Sequence, residues 1–565
     1  MDADRDTAAD GATVGGLPDR APGTATANDA APDEAAANDV APDSAHDSAA
    51  PDGAPTDGSV PPVDVAARLR MTATQRPDHP ALVWDGGRLT YGELHARVDA
   101  GTAALQALGV APGDRVALVA GTTPAFVEVA AAVLRAGAIL VPLLPGLAPD
   151  ELRHALADSG ASVAVVGPER VADVAALAAD LDGLQVIPAA GAHLEGHDDW
   201  DALVSRDGRP RVADRRPDDL AAIVYTSGTT GRPRGAMLSR GNLAANQDQS
   251  LAGRFEVGPD DVVLLVLPLA HIYSFNVGLG AAMSVGATLV LVERFDPDVT
   301  LRAMVDHDVT VVLGAPGMYV AWLRGGHLDD VRLPALRLAV SGAAPLPPAA
   351  LEGFAALTGV TIEEGYGLTE ASPSVTSNAM GDAPRAGSVG LPLPGVEVRL
   401  VDDTGHDVAE GDPGEVWVRG PNVFQGYWSD PDATAEVLTT DGWLRTGDVA
   451  TRDQDGYLYL VDRKRDLIIV NGFNVYPREV ERVLLEDDEV LDAAVVGAEH
   501  PLTGETVVAY VVPRRGQVDS DHLGDLCRAN LARYKCPTRF EVVEALPATA
   551  TGKVRRRELR GRERP

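Results

Sequence analysis

Residues 225–235 read YTSGTTGRPRG, a loop sequence in which glycines alternate with hydroxyl-bearing side chains and arginines close the run. Glycine adopts positive φ at little cost, so successive backbone N–H groups can turn inward onto an anion. The hydroxyl and guanidinium groups add further donors. The chain has no Walker A motif, since no G-x-x-x-x-G-K-[ST] occurs. A flexible turn is the alternative, which the loop's length and terminal arginines disfavour; we expect a nucleotide triphosphate to bind here.

The surroundings of this loop predict an α/β fold. The apolar run at 220–225 is typical of a buried strand, which would deliver the loop to the carboxyl edge of a sheet, where α/β proteins bind ligands. Helical patterns at 91–108 and 124–136 alternate with strand patterns at 115–119 and 162–166. Such alternation indicates a largely parallel sheet.

Further apolar runs each end in small or polar residues, at 262–267, 309–313, 336–340 and 360–362. Because the carboxyl ends of parallel strands meet at one edge, repeated endings of this kind predict a shared ligand crevice. After about residue 390 the strands become shorter and Gly/Asp turns separate them, which is typical of an antiparallel, barrel-like subdomain. The last hundred residues or so have the pattern of a small separate α+β domain.

Composition and charge indicate an acidic globular protein. The 565 residues are 45% hydrophobic and the net charge is −35. Such acidity argues against nucleic-acid partners, because a duplex would be repelled. The first 62 residues hold thirteen acidic and two basic residues, no aromatic residue and repeated Ala-Pro-Asp triplets. A segment of this kind buries too little apolar area to offset its chain entropy, so we predict that 1–62 is a disordered acidic tail.

Cysteine use and hydropathy predict a cytoplasmic protein without stable membrane insertion. Cys527 and Cys536 are the only cysteines, so the chain has no disulfide framework, which suits a reducing compartment. The N-terminus is acidic and lacks the apolar region of a signal peptide. The apolar stretch 262–292 is interrupted by Pro268 and His271, and we interpret it as a buried strand, a turn and a core helix rather than a membrane span.

A set of motifs follows in a distinctive order along the chain: YTSGTTGRPRG, LPLAHIYSFN, SGAAPL, EEGYGLTE, GEVWVRGPNVFQGYW, GWLRTGD, DRKRDLIIVNGFNVYPREVE and ATATGKVRRREL. In content and order they resemble the adenylate-forming superfamily of acyl-CoA synthetases, firefly luciferase-like enzymes and peptide-synthetase adenylation domains. The resemblance runs from about residue 63 to the C-terminus. It implies a large N-terminal AMP-binding domain over 63–464, built of parallel α/β subdomains plus a barrel-like β subdomain, and a small mobile α+β lid domain over 465–565.

By this resemblance the chain would be an AMP-forming acid–thiol ligase. A carboxylate would join the α-phosphorus of ATP and release pyrophosphate, and the acyl group would then pass to a thiol. The first step brings an anion onto a polyanion, so the site needs positive charge and ordered donors. The implied cofactors are ATP, Mg²⁺ and coenzyme A as co-substrate.

The resemblance assigns the β- and γ-phosphates, and the departing pyrophosphate, to the opening loop. Its ligand residues would be Thr226, Ser227, Gly228, Thr229, Thr230, Gly231, Arg234 and Gly235. Arg234 stands where relatives usually carry lysine. Only three of the 48 basic residues are lysine, so we interpret this exchange as compositional drift, with lost function as the alternative.

The resemblance places the nucleotide wall at Glu364, Gly365, Tyr366 and Gly367. Within and beside it, Tyr366 would stack on adenine, Thr369 would hydrogen-bond the α-phosphate and Glu370 would ligate Mg²⁺. An oxygen ligand beside phosphates suits a hard cation.

Two further motifs complete the implied nucleotide site. Gly342, Ala343 and Ala344 would let the backbone approach the adenine and the acyl phosphate closely. Asp448 would accept hydrogen bonds from the ribose hydroxyls, and Arg463 would contact the ribose as well.

The resemblance also implies a rotating C-terminal domain. Lys553 would contact the acyl carboxylate and the bridging oxygen of ATP during adenylation, and Gly472 would lie on the face presented for thioester formation. Two steps with incompatible needs at one site give a reason for such a movement. We assign the hinge to Arg465, where relatives commonly carry Asp or Lys. The basic run that starts at Lys553 is alternatively a nucleic-acid patch, which the overall acidity disfavours.

The acid and its acceptor stay open at this point. The segment 270–276 contains no carboxylate to pair with a substrate ammonium, which disfavours an amino acid; His271 would border the substrate carboxylate. The apolar run 277–283 suits the lining of a tunnel for an alkyl chain, with ordinary helix packing as the alternative. We therefore expect a medium- or long-chain fatty acid, with aryl acids as the alternative.

Coenzyme A is the simplest acceptor, since no carrier-protein motif or condensation domain accompanies the motifs. The alternatives are an acyl-AMP ligase that loads a carrier protein and a regulatory homologue that binds nucleotide without turnover. A homodimer is compatible with the sequence, which leaves the oligomeric state open.

Overall fold

The computed structural model describes residues 65–206, 208–226, 232–471, 473–500, 503–548 and 554–561. The predicted acidic tail, 1–62, lies outside these residues.

The strands, numbered in chain order, are β1 Pro80–Trp84, β2 Gly87–Thr90, β3 Arg115–Val119, β4 Ile139–Leu143, β5 Val163–Val166, β6 Gln185–Pro188, β7 Leu220–Thr226, β8 Arg234–Ser239, β9 Val262–Leu265, β10 Thr288–Leu291, β11 Val311–Gly314, β12 Leu338–Ser341, β13 Ile362–Gly367, β14 Ser374–Ser377, β15 Leu391–Pro392, β16 Glu397–Val401, β17 Gly414–Arg419, β18 Leu444–Arg452, β19 Leu458–Arg463, β20 Ile468–Val470, β21 Phe473–Val475, β22 Val490–His500, β23 Gly504–Pro513 and β24 Arg539–Val542.

The α-helices are α1 Val65–Gln75, α2 Tyr91–Ala107, α3 Pro124–Arg135, α4 Pro149–Ser159, α5 Val171–Ala178, α6 Trp200–Val204, α7 Arg240–Ser250, α8 Ala281–Val285, α9 Pro297–Asp306, α10 Pro316–Leu323, α11 Pro348–Thr358, α12 Pro431–Val437, α13 Pro477–Leu485, α14 Ser520–Asn530 and α15 Arg556–Gly561. A π-helix, Tyr273–Gly280, runs directly into α8. Single 3₁₀ turns include Thr369–Ala371 and Lys464–Asp466.

The strands form four sheets in the described residues. Two are largely parallel: a nine-stranded sheet in the order β15-β14-β13-β12-β11-β9-β10-β1-β2 and a six-stranded sheet in the order β6-β5-β3-β4-β7-β8. A four-stranded antiparallel sheet, β16-β17-β18-β19, follows. The C-terminal sheet has the order β21-β20-β23-β22, with β24 parallel to β23. The predicted α/β fold, with an antiparallel β subdomain and a smaller C-terminal domain, is confirmed.

Both parallel sheets contribute to one core cluster together with helix α3. This helix begins at Pro124 after the cap residue Thr123, whose side chain accepts the N–H of Phe126, and it is buried from Phe126 to Arg135. Its one carboxylate, Glu128, accepts hydrogen bonds from Arg97 at 2.6 Å and from the indole N–H of Trp200 at 3.1 Å. A buried charge needs such partners, because an unpaired one costs several kcal/mol.

The predicted elements agree closely with the structure, with one wrong strand. Strand β3 has the predicted bounds, and α2 and α3 each end one residue before the predicted end. The predicted strand 360–362 is wrong, because β13 begins at Ile362 and runs to Gly367. Two glycines allow the strand to continue beyond the predicted end. A Cβ at Gly367 would lie 2.1 Å from the carbonyl oxygen of Pro373, and a Cβ at Gly365 would lie 3.0 Å from the carbonyl oxygen of Thr376. Only glycine lets β14 pair this closely.

The apolar stretch 262–292 forms strand β9 and a helix, as predicted, and it also contains a second strand, β10, that was not predicted; the helix begins as the π-helix and continues as α8. In the described part of the chain, no helix combines the length and the apolar content that a membrane crossing requires.

Candidate active site

Two of the predicted ligand motifs meet at the carboxyl edge of the nine-stranded sheet. Strands β11, β12 and β13 are parallel neighbours, with Gly314 opposite Ser341 and Ser341 opposite Glu364. The motif residues that follow β12 and those that end β13 are therefore brought side by side, as the shared crevice requires.

A tight turn follows β12 at the predicted adenine and acyl-phosphate position. The N–H of Gly342 donates to the carbonyl of Gly314 at 3.2 Å, and Ala343 has a positive φ of 72°. A Cβ at Gly342 would lie 3.2 Å from the ring of Tyr273. The hydroxyl of Tyr273 is buried and has no hydrogen-bond partner in the described residues, and the same holds for the hydroxyl of Ser341. Two buried hydroxyls beside a glycine turn can recognise a polar group on a ligand.

Glu364 is a buried carboxyl group at the end of this crevice. Its Oε1 accepts the backbone N–H of Leu346 at 3.3 Å. Burial raises the pKa of Glu364 to about 7, and backbone hydrogen bonds from Leu346 and Gly387 oppose that rise. The group therefore changes protonation near neutral pH.

Asp448 joins the predicted adenine and ribose residues. The hydroxyl of Tyr366 donates to Oδ2 of Asp448 at 2.7 Å, and Nε of Arg463 lies 3.1 Å from its Oδ1. Asp448 and Arg463 face each other across strands β18 and β19, which fixes this pair by register. The structure thus brings together three residues that are up to 97 positions apart in the chain.

Glu370 lies in the 3₁₀ turn that follows β13, next to Thr369. Its Oε1 accepts the hydroxyl of Tyr427 at 2.8 Å. Burial, and then the charge of Glu370, raise the pKa of Tyr427, so the phenol is the donor. The structure gives Oε2 of Glu370 no partner in the described residues, and one carboxylate oxygen beside ATP phosphates suits Mg²⁺. No cluster of three or more His, Cys, Asp or Glu that could hold a metal occurs in the described residues, so the phosphates would complete such a site.

The loop 226–235, to which the resemblance assigns the phosphates and which we call the phosphate loop, is described only at its ends. Strands β7 and β8 pair antiparallel up to Thr226 and Arg234, so the loop connects two strands of a hairpin. Ser227, Gly228, Thr229, Thr230 and Gly231 lie outside the described residues. Nε of Arg234 lies 3.4 Å from Asp430, and its guanidinium lies 5.5 Å from the ring centre of Tyr427. A Cβ at Gly235 would lie 2.6 Å from the side chain of Ile223, which explains the glycine there.

His271 and the segment after it belong to the core side of the crevice. Nδ1 of His271 accepts the backbone N–H of Tyr273 at 3.3 Å. Leu279 and Met283 pack in the main core cluster, and Asn276 accepts from Gln247 at 2.8 Å. Packing in the core therefore accounts for the apolar character of 277–283.

The predicted hinge, Arg465, lies in the 3₁₀ turn Lys464–Asp466. Burial and then the neighbouring Arg463 lower the pKa of Arg465. Lys464 pairs with Asp403 at 2.9 Å, and in the C-terminal part Lys535 pairs with Glu479 at 2.7 Å. Gly472 and Lys553 lie outside the described residues.

The profile of the family described as AMP-binding enzyme matches residues 69–428, and that of the AMP-binding enzyme C-terminal domain matches 479–553. The chain belongs to the AMP-binding enzyme family.

Curated relatives of this AMP-binding enzyme are acid–CoA ligases. A feruloyl-CoA synthase of Amycolatopsis sp is 41% identical over 88% of this chain and 97% of that protein. A long-chain-fatty-acid–CoA ligase of Yersinia pestis is 38% identical over 87% of this chain and 93% of that protein. The solved structure of ATP-bound MatB from Rhodopseudomonas palustris superposes with a TM-score of 0.83 at 34% identity, covering 88% of this chain and 98% of that one.

These findings confirm the family resemblance and the enzyme class. This AMP-binding enzyme is an AMP-forming acid–CoA ligase, and its co-substrates and cofactor are ATP, coenzyme A and Mg²⁺. The fatty-acid substrate, the site roles of individual residues, the boundary at 464/465 and the dimer stay predictions.

Sequence reasoning missed two residues of this AMP-binding enzyme's crevice, Tyr273 and Tyr427. Both lie inside motifs that the resemblance uses, LPLAHIYSFN and GPNVFQGYW. From sequence alone, a tyrosine in an apolar motif is interpreted as a packing residue. Only their membership in these motifs could have indicated that Tyr273 and Tyr427 belong to the crevice.

Proposed function

We propose that the chain activates an aromatic monocarboxylic acid with ATP and transfers the acyl group to coenzyme A. A carboxylate oxygen of the acid attacks the α-phosphorus, the bond from that phosphorus to the bridging oxygen breaks, and pyrophosphate leaves. The sulfur of coenzyme A then attacks the acyl carbonyl, its proton passes to solvent, and AMP leaves with the electron pair of the C–O bond.

The described residues divide these steps between them. Asp448 and Arg463 hold the ribose, Tyr366 flanks the adenine, and Glu370 binds the Mg²⁺ that enters with ATP. Bound Mg²⁺ offsets the negative charge of the phosphates. Lys553, outside the described residues, supplies the positive charge at the acid carboxylate. These roles follow the family resemblance and the pairing of Asp448 with Tyr366 and Arg463.

The hydroxyl of Tyr273, which has no partner among the residues that the structure describes, carries the choice of an aromatic acid with a polar substituent. Tyr273 is 9% exposed, and its hydroxyl would lie 3.6 Å from a Cβ at Gly342, in the turn that borders the crevice. A saturated alkyl chain would leave this hydroxyl without a partner, which costs about 1–3 kcal/mol. A phenolic or methoxy oxygen on the substrate ring would satisfy it. The feruloyl-CoA synthase relatives support the same choice.

A medium- or long-chain fatty acid is the second candidate. Long-chain-fatty-acid–CoA ligases are among the relatives at 35–38% identity. The core packing of Leu279 and Met283 removes the sequence argument for an alkyl tunnel along 277–283.

The test is AMP release from ATP and Mg²⁺ with a panel of acids, each with and without coenzyme A. The panel holds ferulate, 4-coumarate, cinnamate, benzoate, octanoate and oleate. CoA-dependent AMP release that is fastest with ferulate or 4-coumarate supports the proposal, and a maximum at octanoate or oleate replaces it with the fatty-acid candidate. Adenylate or pyrophosphate formation that is indifferent to CoA indicates a carrier-protein acceptor, and no release with any acid indicates a homologue without turnover.

The variant Tyr273→Phe separates recognition from general packing. We expect kcat/KM for 4-coumarate to fall roughly 10-fold or more, while kcat/KM for cinnamate, which lacks the hydroxyl, changes less than about threefold. Equal losses with both acids would remove Tyr273 from substrate recognition.

A further inference from the structure

The segment 422–428 contacts the strand that carries the end of the phosphate loop. The N–H of Met237 in β8 donates to the carbonyl of Gly426 at 2.9 Å, and the N–H of Trp428 donates to the carbonyl of Gly235 at 2.7 Å. The segment therefore runs as an extra edge along β8, which begins at the last arginine of the loop.

The same segment contacts the turn that carries the predicted metal carboxylate. The side-chain amide of Asn422 donates to the carbonyl of Ala371 at 3.0 Å, and the N–H of Phe424 donates to the carbonyl of Glu370 at 2.9 Å. The turn Thr369–Ala371 is a single 3₁₀ turn, which has few hydrogen bonds of its own. Its position thus depends on 422–428.

Tyr427 is the point where these two contacts converge. Its hydroxyl donates to Oε1 of Glu370, its ring lies below the guanidinium of Arg234, and its N–H donates to Oγ1 of Thr434 at 2.8 Å. The ring of Phe424 packs edge-on against it, with centroids 5.0 Å apart. Tyr427 is only 9% exposed and is contacted on each of these sides. These contacts hold its hydroxyl toward Glu370.

We propose that Tyr427 is a positioning residue for metal binding: its hydroxyl fixes Oε1 of Glu370 and leaves Oε2 to the Mg²⁺ that enters with ATP. The proposal rests on the metal role of Glu370 in the proposed function. A carboxylate with one oxygen held keeps its rotamer before the nucleotide arrives, so less ordering is needed on binding. Outer partners of this kind are worth about 10- to 100-fold in metal affinity.

The contact between Arg234 and Tyr427 links the positioning of Glu370 to the phosphate loop. Nε of Arg234 pairs with Asp430, whose carboxylate also accepts the N–H of Ala433 at the start of helix α12. Arg234 contacts the ring of Tyr427, and Glu370 contacts the hydroxyl on the same ring. The loop end and the metal carboxylate are thus joined through a single side chain.

The test measures metal binding without turnover. Free Mn²⁺ is followed by electron paramagnetic resonance as wild-type, Tyr427→Phe, Glu370→Gln and double-variant enzymes are titrated with Mn²⁺ and ATP in the absence of any acid. Tyr459→Phe is the matched control, because Tyr459 also donates to a carboxylate, Asp453, at 3.1 Å, away from the crevice. Thermal unfolding checks each fold, and ATP binding in EDTA provides the metal-free reference.

We expect Tyr427→Phe to weaken Mn²⁺ binding about 10-fold or more with metal-free ATP binding unchanged, and Tyr459→Phe to match wild type. In the Glu370→Gln background the tyrosine substitution should add no further loss. In turnover, the KM for Mg²⁺ should rise while the KM for the acid stays constant. Weakening by Glu370→Gln alone, with Tyr427→Phe equal to wild type, overturns the positioning role and leaves the metal role standing. No effect of Glu370→Gln overturns both.

Discussion

The carboxylate of Asp462 accepts the backbone N–H of Arg478 at 2.9 Å, across the predicted hinge. Asp462 belongs to strand β19, and Arg478 lies in the first turn of helix α13. A carboxylate at a helix N-terminus satisfies a free donor and complements the helix dipole. Asp462 is 2% exposed, so this bond is shielded from water and ties together the chain before and after the turn Lys464–Asp466.

Asp462→Ala should loosen the hinge. Loss of an N-terminal capping carboxylate costs about 1 kcal/mol, which raises the population of a locally opened hinge roughly fivefold. The residues that open, Arg463, Lys464 and Arg465, are trypsin sites, so cleavage there should accelerate by a similar factor. Asp407→Ala, which removes an exposed ion pair with Arg399, is the control. Equal cleavage rates for both variants would contradict the role of Asp462.

Glu364 should make stability depend on pH near neutrality. Burial raises its pKa from 4.5 to about 7, so the folded state favours the protonated form. The contribution of protonated Glu364 to the free energy of unfolding is fully present below pH 4.5 and is lost as the pH rises through 7. The free energy of unfolding changes by about 3 kcal/mol over this range. Glu364→Gln should therefore flatten the pH dependence of the free energy of unfolding between pH 5 and 8, measured by urea denaturation. If the free energies of unfolding of wild type and variant differ by the same amount at every pH in this range, Glu364 has an ordinary pKa.

Tyr366→Phe should weaken ATP binding through Asp448. The substitution keeps the ring and removes the donor at 2.7 Å from the carboxylate. Hydrogen bonds to charged groups contribute about 1.5–3 kcal/mol, so we expect the dissociation constant for ATP to rise roughly 10-fold or more, measured by calorimetry without acid. Tyr459→Phe serves again as the control. Unchanged ATP affinity would mean that Asp448 is held by Arg463 alone.

Arg234→Lys should lose much less activity than Arg234→Gln. Lysine keeps the positive charge while losing the planar contact with Tyr427, so we expect a loss of about 3- to 10-fold in kcat/KM for ATP. The neutral glutamine should cost about 100-fold or more, because the phosphates lose a charge partner. Full activity of the glutamine variant would assign Arg234 to packing against Asp430 and Tyr427.

The regular elements follow from local patterns, and the structure agrees with them where those patterns are strong. Helix α2 begins where Thr90 and Glu93 form a capping box, and strand β3 is apolar after its first residue, Arg115. Local patterns fail at strand β13. There Gly365 and Gly367, a residue type that marks turns elsewhere, serve the close approach of β14, a pairing that the hydrophobic pattern does not report.

For the site, the sequence identifies residues but not the contacts between them. The motifs name Tyr366, Asp448 and Arg463, but their pairing depends on the register of β18 and β19. The bond between Glu370 and Tyr427 spans 57 positions. That the Tyr273 hydroxyl lacks a partner among the described residues is visible only in three dimensions.

The placement of the lysines has a practical consequence for attaching the enzyme to solid supports. Lys464 is bound to Asp403 at the hinge, and Lys535 is bound to Glu479 in the C-terminal part. Amine-directed coupling at these two lysines would therefore displace their ion pairs with Asp403 and Glu479. Coupling through carboxylates, which outnumber the lysines many times over, would spread the attachment over many positions of the chain.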